Sequence, residues 1–424
     1  MNVTDREFAL ELDKNDPLAH FKSQFVVSDP AMCYLDGNSL GRLPKATVIA
    51  LNSFMVDEWG PEVVTGWGHW VDEAQPTGDL LGAAALGAGA GQVLVCDTTS
   101  INFYQLCLAA INARPGRKTI ITDAANFPTD RYILDGIAKQ FGLKLVIIDN
   151  EDPTIAAHER ITTDVLAPYL NDDVALVTFE VIQYRSGART DIKSITDQVR
   201  AIGGLVVWDA SHAVGAIELN LDANGVDLCV GCTYKYGNSG PGSPAWLYIS
   251  TKIQDQLQVP IQGWFAESAQ FEMGPQFEKA QGIRGFQIAS PPLMGIRCVQ
   301  TAFSMIQEAG IDAIAKKAAI GTQMMIELFD AWLDPLGLEL NTPRLSHERG
   351  GHISLIHPDA AQICIALRQI SNVIPDYRTP NSIRLAISPL PTSYVEVWDG
   401  FERMRDLVAS GHYKEVKEGG SRVT

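Results

Sequence analysis

Lys235 stands between two tyrosines in CTYKYGNSGPGSPAWLYIS, ahead of a Gly/Pro/Ser turn and an apolar run. Lysine is rarely buried unless it is paired or functional. A turn of this kind can restrict solvent and lower the pKa of an amine, which suits a lysine that forms a Schiff base with a carbonyl. The alternative is an exposed loop lysine. Twenty-six residues earlier Asp209 closes the run GLVVWD, and His212 follows in WDASHAVG. A carboxylate at a strand end can hold a protonated ring nitrogen, or simply cap the next helix. Further upstream Asp97-Thr98-Thr99-Ser100 precede a helical pattern. Hydroxyls and free N–H groups there make an anion site, or an ordinary cap. Taken together and in this order, an anion cup, a strand-end acid and a lysine are the parts that pyridoxal 5′-phosphate (PLP) requires.

The elements that must position these groups are legible around them. KTIITD (118–123), KLVIID (144–149), VALVTFE (174–180) and GLVVWD (204–209) are apolar runs that end in a polar residue. That pattern predicts parallel strands buried on both faces. Between them lie the helical patterns INFYQLCLAAINA, TDRYILDGIAKQF and DIKSITDQVRAIG, the first opening after Thr98-Thr99-Ser100 and the second after Pro128-Thr129. The alternation predicts an α/β fold, a mostly parallel central sheet flanked by helices, with ligands at the carboxyl ends of its strands. Beyond Pro291 a long helical stretch (293–333) leads to a smaller α+β region with HISLIHP and SIRLAISPL as strands. A last helix over 393–409 carries Val395, Trp398, Phe401 and Met404 at helical spacing. The expected organisation is an N-terminal arm (1–50) that joins the small domain, a large cofactor-binding domain (51–292) and a small C-terminal domain (293–424). The tail KEVKEGGSRVT is expected to fray.

A net charge of −17, from 33 basic and 50 acidic residues, argues against nucleic acid or an anionic membrane as partner. An anionic cofactor would need a locally basic pocket. No apolar run reaches the length of a membrane span, and the N-terminus MNVTDREFALELDKND lacks the core of a signal peptide. Seven cysteines, an odd number lying mostly in apolar stretches, read as reduced core residues of a cytoplasmic protein. Cys229 and Cys232 form a CxxC, but no second pair or close histidines complete a metal site, so the pair reads as a buried strand end and no metal is expected.

With these residues in view, the sequence resembles the kynureninase family of fold-type-I PLP enzymes. The resemblance is carried by YLDGNSLGRLPK (34–45), CDTTSINFYQL (96–106), FPTDRYIL (127–134), WDASHAVGAIELNL (208–221), VDLCVGCTYKYGNSGPG (226–242), GWF (263–265), GIRGFQIASPPL (282–293) and SIRLAISPL (382–390). It implies that Lys235 is the Schiff-base lysine, that Asp209 pairs with the pyridine nitrogen, and that His212 lies beside the cofactor. Thr99 and Ser100 would cradle the phosphate, Phe127 would stack on the ring with Asp130 nearby, and Tyr234 would reach the phosphate and relay protons. Trp264 and Ser290 hold positions that in the family reach the cofactor from a neighbouring subunit, which implies a homodimer. Arg384 would clamp the α-carboxylate of an amino-acid substrate.

Three positions depart from the family pattern. Glu267 stands where a histidine is usual, Ser290 where Asn or Thr is commoner, and Glu180 where a Ser or Thr hydroxyl is usual. The segment GWGHWVDEAQ (66–75) also matches the family pocket poorly. These changes lie toward the substrate side chain, so the expectation is the same cofactor with a different substrate. The resemblance then extends to kynureninase-like enzymes that process cysteine S-conjugates in lincosamide antibiotic assembly, by C–S β-elimination or by decarboxylation coupled to oxidative deamination. Hydrolysis of L-kynurenine is the alternative reading, and a non-catalytic PLP-binding protein a further one.

Overall fold

The computed structural model describes residues 1–416; residues 417–424, most of the tail expected to fray, lie outside the described residues. Seven strands form the sheet that carries the site: β1 Val93–Cys96, β2 Thr119–Asp123, β3 Lys144–Ile148, β4 Val174–Glu180, β5 Leu205–Asp209, β6 Leu228–Gly231 and β7 Ala245–Ile249. Their order is β1-β7-β6-β5-β4-β2-β3. Only β7 runs antiparallel to its neighbours; β2 to β6 are parallel. Every residue of β2, β4, β5 and β6 is buried, which is why these strands read as unbroken apolar runs. β3 closes one edge and leaves Lys144 and Ile147 exposed, as edge strands do.

Helix α1 (Thr99–Asn112) follows β1, and the Thr98 hydroxyl caps it by accepting from the Ile101 N–H. α2 (Pro128–Phe141) opens differently from expectation: Phe127 is the extended residue before it and Pro128 supplies the first position, with no side-chain cap. The fixed φ of proline starts this helix. α3 (Ile192–Ala201) is capped by Asp191. Parallel pairing sends the ends of β4 and β5 out at one edge of the sheet, with Glu180 directly beside Asp209 in the register.

The helical stretch expected over 293–333 is two helices, α4 (Leu293–Ala309) and α5 (Ile311–Leu328). They part at Gly310, whose φ of 79° favours glycine. α4 packs into the core of the seven-stranded sheet through Ile296, Val299, Phe303 and Ile306. A second core gathers the end of α5 with β8 (Glu339–Leu340), β9 (His352–Ile356), α6 (Ala360–Ile370), β10 (Asp376–Arg378), β11 (Ser382–Ala386) and α7 (Tyr394–Ser410). The antiparallel order of its sheet is β10-β11-β9-β8.

The N-terminal arm touches both cores. Ala9, Cys33 and Leu35 join the second, while Leu18, Phe21 and Phe25 join the first. The arm also crosses the lysine turn: the Gly41 N–H donates to the Tyr234 carbonyl at 2.8 Å. All seven cysteines are free, and Cys229 and Cys232 are both buried. Among the described residues no helix is long and apolar enough to cross a membrane.

A Cβ on Gly41 would lie 2.4 Å from the Lys235 carbonyl oxygen and 2.6 Å from Asn238 Cα, both backbone atoms. Gly41→Ala must therefore push the arm off the lysine turn. Chemical denaturation is expected to register a loss of about 1–3 kcal/mol, the usual penalty of overpacking; an unchanged midpoint would mean the arm is not seated as described.

Candidate active site

The site assembles where β4, β5, α2 and the turn after β6 meet. Asp209, at the end of β5, accepts from the Ser211 N–H at 2.6 Å, which fixes its carboxylate at the strand end. The chain then turns and buries His212. Lys235, in the turn after β6, brings Nζ to 3.1 Å from His212 Nε2 and 3.3 Å from Nδ1. The same Nζ lies 5.9 Å from the centre of the Phe127 ring. Tyr184 joins these groups from the loop after β4, edge-on to Phe127 at 5.3 Å and tilted against His212 at 6.5 Å. Burial, aided by the charges of Lys235 and Arg384, keeps the imidazole of His212 neutral well below its ordinary pKa.

Carboxyl groups crowd this strand edge. Asp130, in the first turn of α2, is buried against Asp209; burial first, then the Asp209 charge, push its pKa well up and favour its protonated form. Glu180 is equally buried, with Oε2 accepting from the Tyr184 N–H at 3.0 Å and Oε1 lying 3.7 Å from His212 Nδ1. Its pKa is also raised, by burial and then by Asp209. Asp123, at the end of β2, accepts from Asn150 at 2.8 Å and from Gln183 at 3.3 Å, and burial pushes it up to about 7.

Other expected site residues fall into three groups. Thr99 and Ser100 open α1 half-buried, and among the described residues no hydrogen bond engages their hydroxyls. Tyr234 is half-buried, and the neighbouring Cys232, then burial, raise its pKa. Arg384, on β11, is 0% exposed and already saturated: Asp376 and the Tyr184 carbonyl bind it closely, Ser39 Oγ of the arm accepts at 3.1 Å, and His212 Nε2 is 3.4 Å away. A carboxylate that meets Arg384 must take the place of one of these partners. Trp264 and Ser290 are not brought to Lys235 within the chain. Both are exposed, on two segments that pack together where Gly263 meets the Ile288 carbonyl.

Within the chain Glu267 is engaged by its own loop. Its carboxylate accepts from the Ala269 N–H and Ser268 hydroxyl at 3.0 Å and from the Glu278 N–H at 2.6 Å, which staples its own loop and lowers its pKa. GWGHW forms part of a surface groove of about 520 Å³, where Phe54, Trp59, Trp67 and Trp70 face Pro291–Met294. Sequence reading missed Asp123, Tyr184 and His352. Asp123 carried a usable signal, since it ends KTIITD as Asp209 ends GLVVWD. His352 begins β9 and is fully buried 5.9 Å from His212, with neither ring nitrogen partnered.

These residues fit PLP. A helix N-terminus with unengaged hydroxyls suits its phosphate. A fixed carboxylate beside a proton-holding one suits its ring nitrogen, and Asp130 Oδ2 is a buried oxygen still without a partner. An amine above an aromatic ring suits its aldehyde and ring face. The strand order with one antiparallel member, the acid on β5 and the lysine after β6 define the fold-type-I class of PLP enzymes.

Solved structures agree on the fold. The apo cysteine desulfurase of Thermococcus onnurineus NA1 superposes with a TM-score of 0.74 at 17% identity, covering 95% of this chain and 98% of that one. A C-DES mutant with glycine covalently linked to its PLP cofactor gives 0.75 at 16% identity, covering 95% and 99%. The model of the Kynureninase C-terminal domain matches residues 314–404. The kynureninase of Burkholderia pseudomallei (strain K96243) is 35% identical over 410 residues, 95% of each chain. That of Pseudomonas fluorescens is 33% identical over 414 residues, 96% of each. The chain belongs to the kynureninase family.

Asp123 gives a pH dependence with a definite sign. Its folded pKa of about 7 lies above the ~3.9 of an unfolded aspartate, so the folded state binds this proton more tightly. The favourable contribution is full below about pH 4 and is lost as pH rises toward 7. Asp123→Asn keeps an acceptor for Asn150 and Gln183 without the titration. Denaturation at pH 5 and pH 8 is expected to find the variant gaining on the parent as pH rises, by up to a few kcal/mol. A difference that does not change with pH would refute it.

Proposed function

We propose that the protein is a PLP-dependent enzyme that breaks a side-chain bond of an L-α-amino acid, with L-kynurenine, hydrolysed to anthranilate and alanine, as the best-supported substrate. The observation that carries this is the meeting of Lys235, His212, Phe127 and Asp209 in a chain 33–35% identical to kynureninases. Bound PLP supplies an electron-poor ring that takes up negative charge from the substrate's Cα.

The chain's own residues divide the rest of the work. Asp209, fixed by its bond from the Ser211 N–H, would pair with the pyridine nitrogen of bound PLP and favour its protonated form. Thr99 and Ser100 would hold the phosphate at the start of α1, and Phe127 would lie against the ring. Lys235, once free, is the nearest amine to carry a proton to or from the substrate, with His212 3.1 Å behind it. Arg384 offers a fork for the α-carboxylate, and its pairing with Asp376 fixes the orientation of that fork. Arg384 and His212 are both buried, which keeps their charges and hydrogen bonds little screened by solvent.

The active form in this reading is a homodimer. Trp264, Phe271 and Met273 are exposed apolar residues, and Trp59, Val63, Val64 and Met294 rim the groove beside Ser290. Apolar surface of this kind fits cover by a second copy, which would bring Trp264 and Ser290 to the neighbour's cofactor.

A second reading, a cysteine S-conjugate substrate of the lincosamide-assembly kind, is favoured by Glu180. A buried carboxyl group beside His212 stands where a hydroxyl is usual in the family, so the site differs there from that of a typical kynureninase. Glu267 lends this reading no support, because its carboxylate is spent on its own loop.

Protein loaded with PLP is expected to show a visible band that borohydride bleaches and that Lys235→Ala abolishes. Incubation with L-kynurenine and, separately, with S-methyl-L-cysteine then decides the substrate. Anthranilate as main product supports the first reading. Thiol with pyruvate, or CO2 with peroxide, supports the second. A protein that takes up no PLP would sink both.

A further inference from the structure

His352 opens β9 fully buried, and neither of its ring nitrogens has a hydrogen-bond partner among the described residues. A buried polar atom without a partner is uncommon in a folded protein and calls for a reason. Strand register gives the ring its place. His352 pairs with Ala386 and Ser354 pairs with Arg384, so His352 and Arg384 project from the same face of the sheet as diagonal neighbours. The His212 ring lies 5.9 Å away. The loop after β4 covers the other side: a Cβ on Gly187 would lie 3.3 Å from His352 Nε2.

The partners of Arg384 show where a substrate would enter. Asp376 is buried and supplies the counter-charge of the guanidinium. Ser39 of the arm binds Nη2. The Tyr184 carbonyl binds Nη1, the nitrogen that also lies 3.4 Å from His212 Nε2 and so faces the Lys235 side of the site. A carboxylate whose amine is at Lys235 meets that carbonyl first. The Tyr184 backbone also acts on the charge of His352, so its oxygen sits beside both side chains.

We propose that His352 is a substrate-binding residue: its ring N–H donates to the α-carboxylate of the amino acid, next to Arg384, at the position the Tyr184 carbonyl holds in this structure. The proposal rests on the reading of the protein as a PLP enzyme acting on an L-α-amino acid, and it holds for kynurenine and for a cysteine S-conjugate alike. Burial first, then the charges of Arg384 and Lys235, keep the imidazole neutral, well below its ordinary pKa. A neutral ring adds a donor without adding a second buried cation. Arg384 supplies the charge and His352 a second point of attachment, which restrains rotation of the carboxylate and so orients Cα.

The test uses holoenzyme and two probes that differ only in the carboxylate, L-alanine and ethylamine, each followed by the change it causes in the visible band of the cofactor. His352→Phe keeps a buried ring and removes the N–H. It is expected to leave the band of the free holoenzyme as in the parent. It should weaken L-alanine by about 10- to 100-fold, the usual loss for a hydrogen bond to a charged group, and leave ethylamine within about twofold. In turnover KM should rise by the same factor, with kcat within about threefold. His352→Gln, which keeps an N–H donor, should recover most of the loss. His352→Leu carries the same test should the phenylalanine variant fail to take up PLP. Unchanged binding of L-alanine, or an equal loss for both probes, would overturn the role of His352 and leave the cofactor reading intact. A parent without a visible band would overturn the cofactor reading, and this role with it.

Discussion

The structure is organised around a buried concentration of negative charge. Parallel strands ending at one edge put Glu180 beside Asp209, and β2 and α2 add Asp123 and Asp130. A charge removed from water is expensive unless it is paired or neutralised. Part of this cluster is neutralised by protons: Asp130 and Glu180 have raised pKa values, and Asp123 titrates near 7. The remaining charge meets Lys235 and Arg384, with a neutral imidazole between them. An acidic chain thus builds a cationic mouth over an acidic floor, the polarity that a phosphate-bearing pyridine ring needs.

That arrangement holds only where three parts of the chain close on it. The arm lays Gly41 on the lysine turn and Ser39 against Arg384. The loop after β4 gives the Tyr184 carbonyl to the same guanidinium, and its Gly187 packs directly onto His352 of β9. The small domain supplies Asp376, without which Arg384 would be a buried charge with no counter-ion. Buried Asp36, from the arm, sits near the same pair and is pushed up to about 7 by burial and by Asp376. The placement of Arg384 is therefore a product of tertiary contacts, and its orientation follows from how the arm, the loop and the small domain meet.

Much of the sheet was legible because β2, β4, β5 and β6 are buried on both faces and read as apolar runs. The positions of Asp209 at one strand end and of Lys235 in the turn after the next strand were legible for the same reason: topology fixes where a strand end points. What escaped depends on tertiary contact. The break between α4 and α5 turns on the positive φ at Gly310, inside an amphipathic pattern that continues on both sides of it. The start of α2 follows from Pro128 and not from a hydroxyl cap. His352 is an ordinary first residue of a strand until β9 is docked beside His212. The saturation of Arg384 by protein partners has no signature in SIRLAISPL at all.

Glu267 and Glu180 looked alike as departures from the family pattern, each an anion where a different group is usual. Placement separates them. Glu267 collects three hydrogen bonds from its own loop, two of them from backbone N–H groups, on a half-buried turn, so the substitution changes how that turn is built. Glu180 has one backbone partner and one oxygen facing His212 in the interior, where burial raises its pKa. A carboxylate saturated by N–H donors is a structural anion with a lowered pKa, whereas one buried among other carboxyls exchanges protons at working pH. Of the two, Glu180 is the departure that lies in the interior, beside Asp209 and His212.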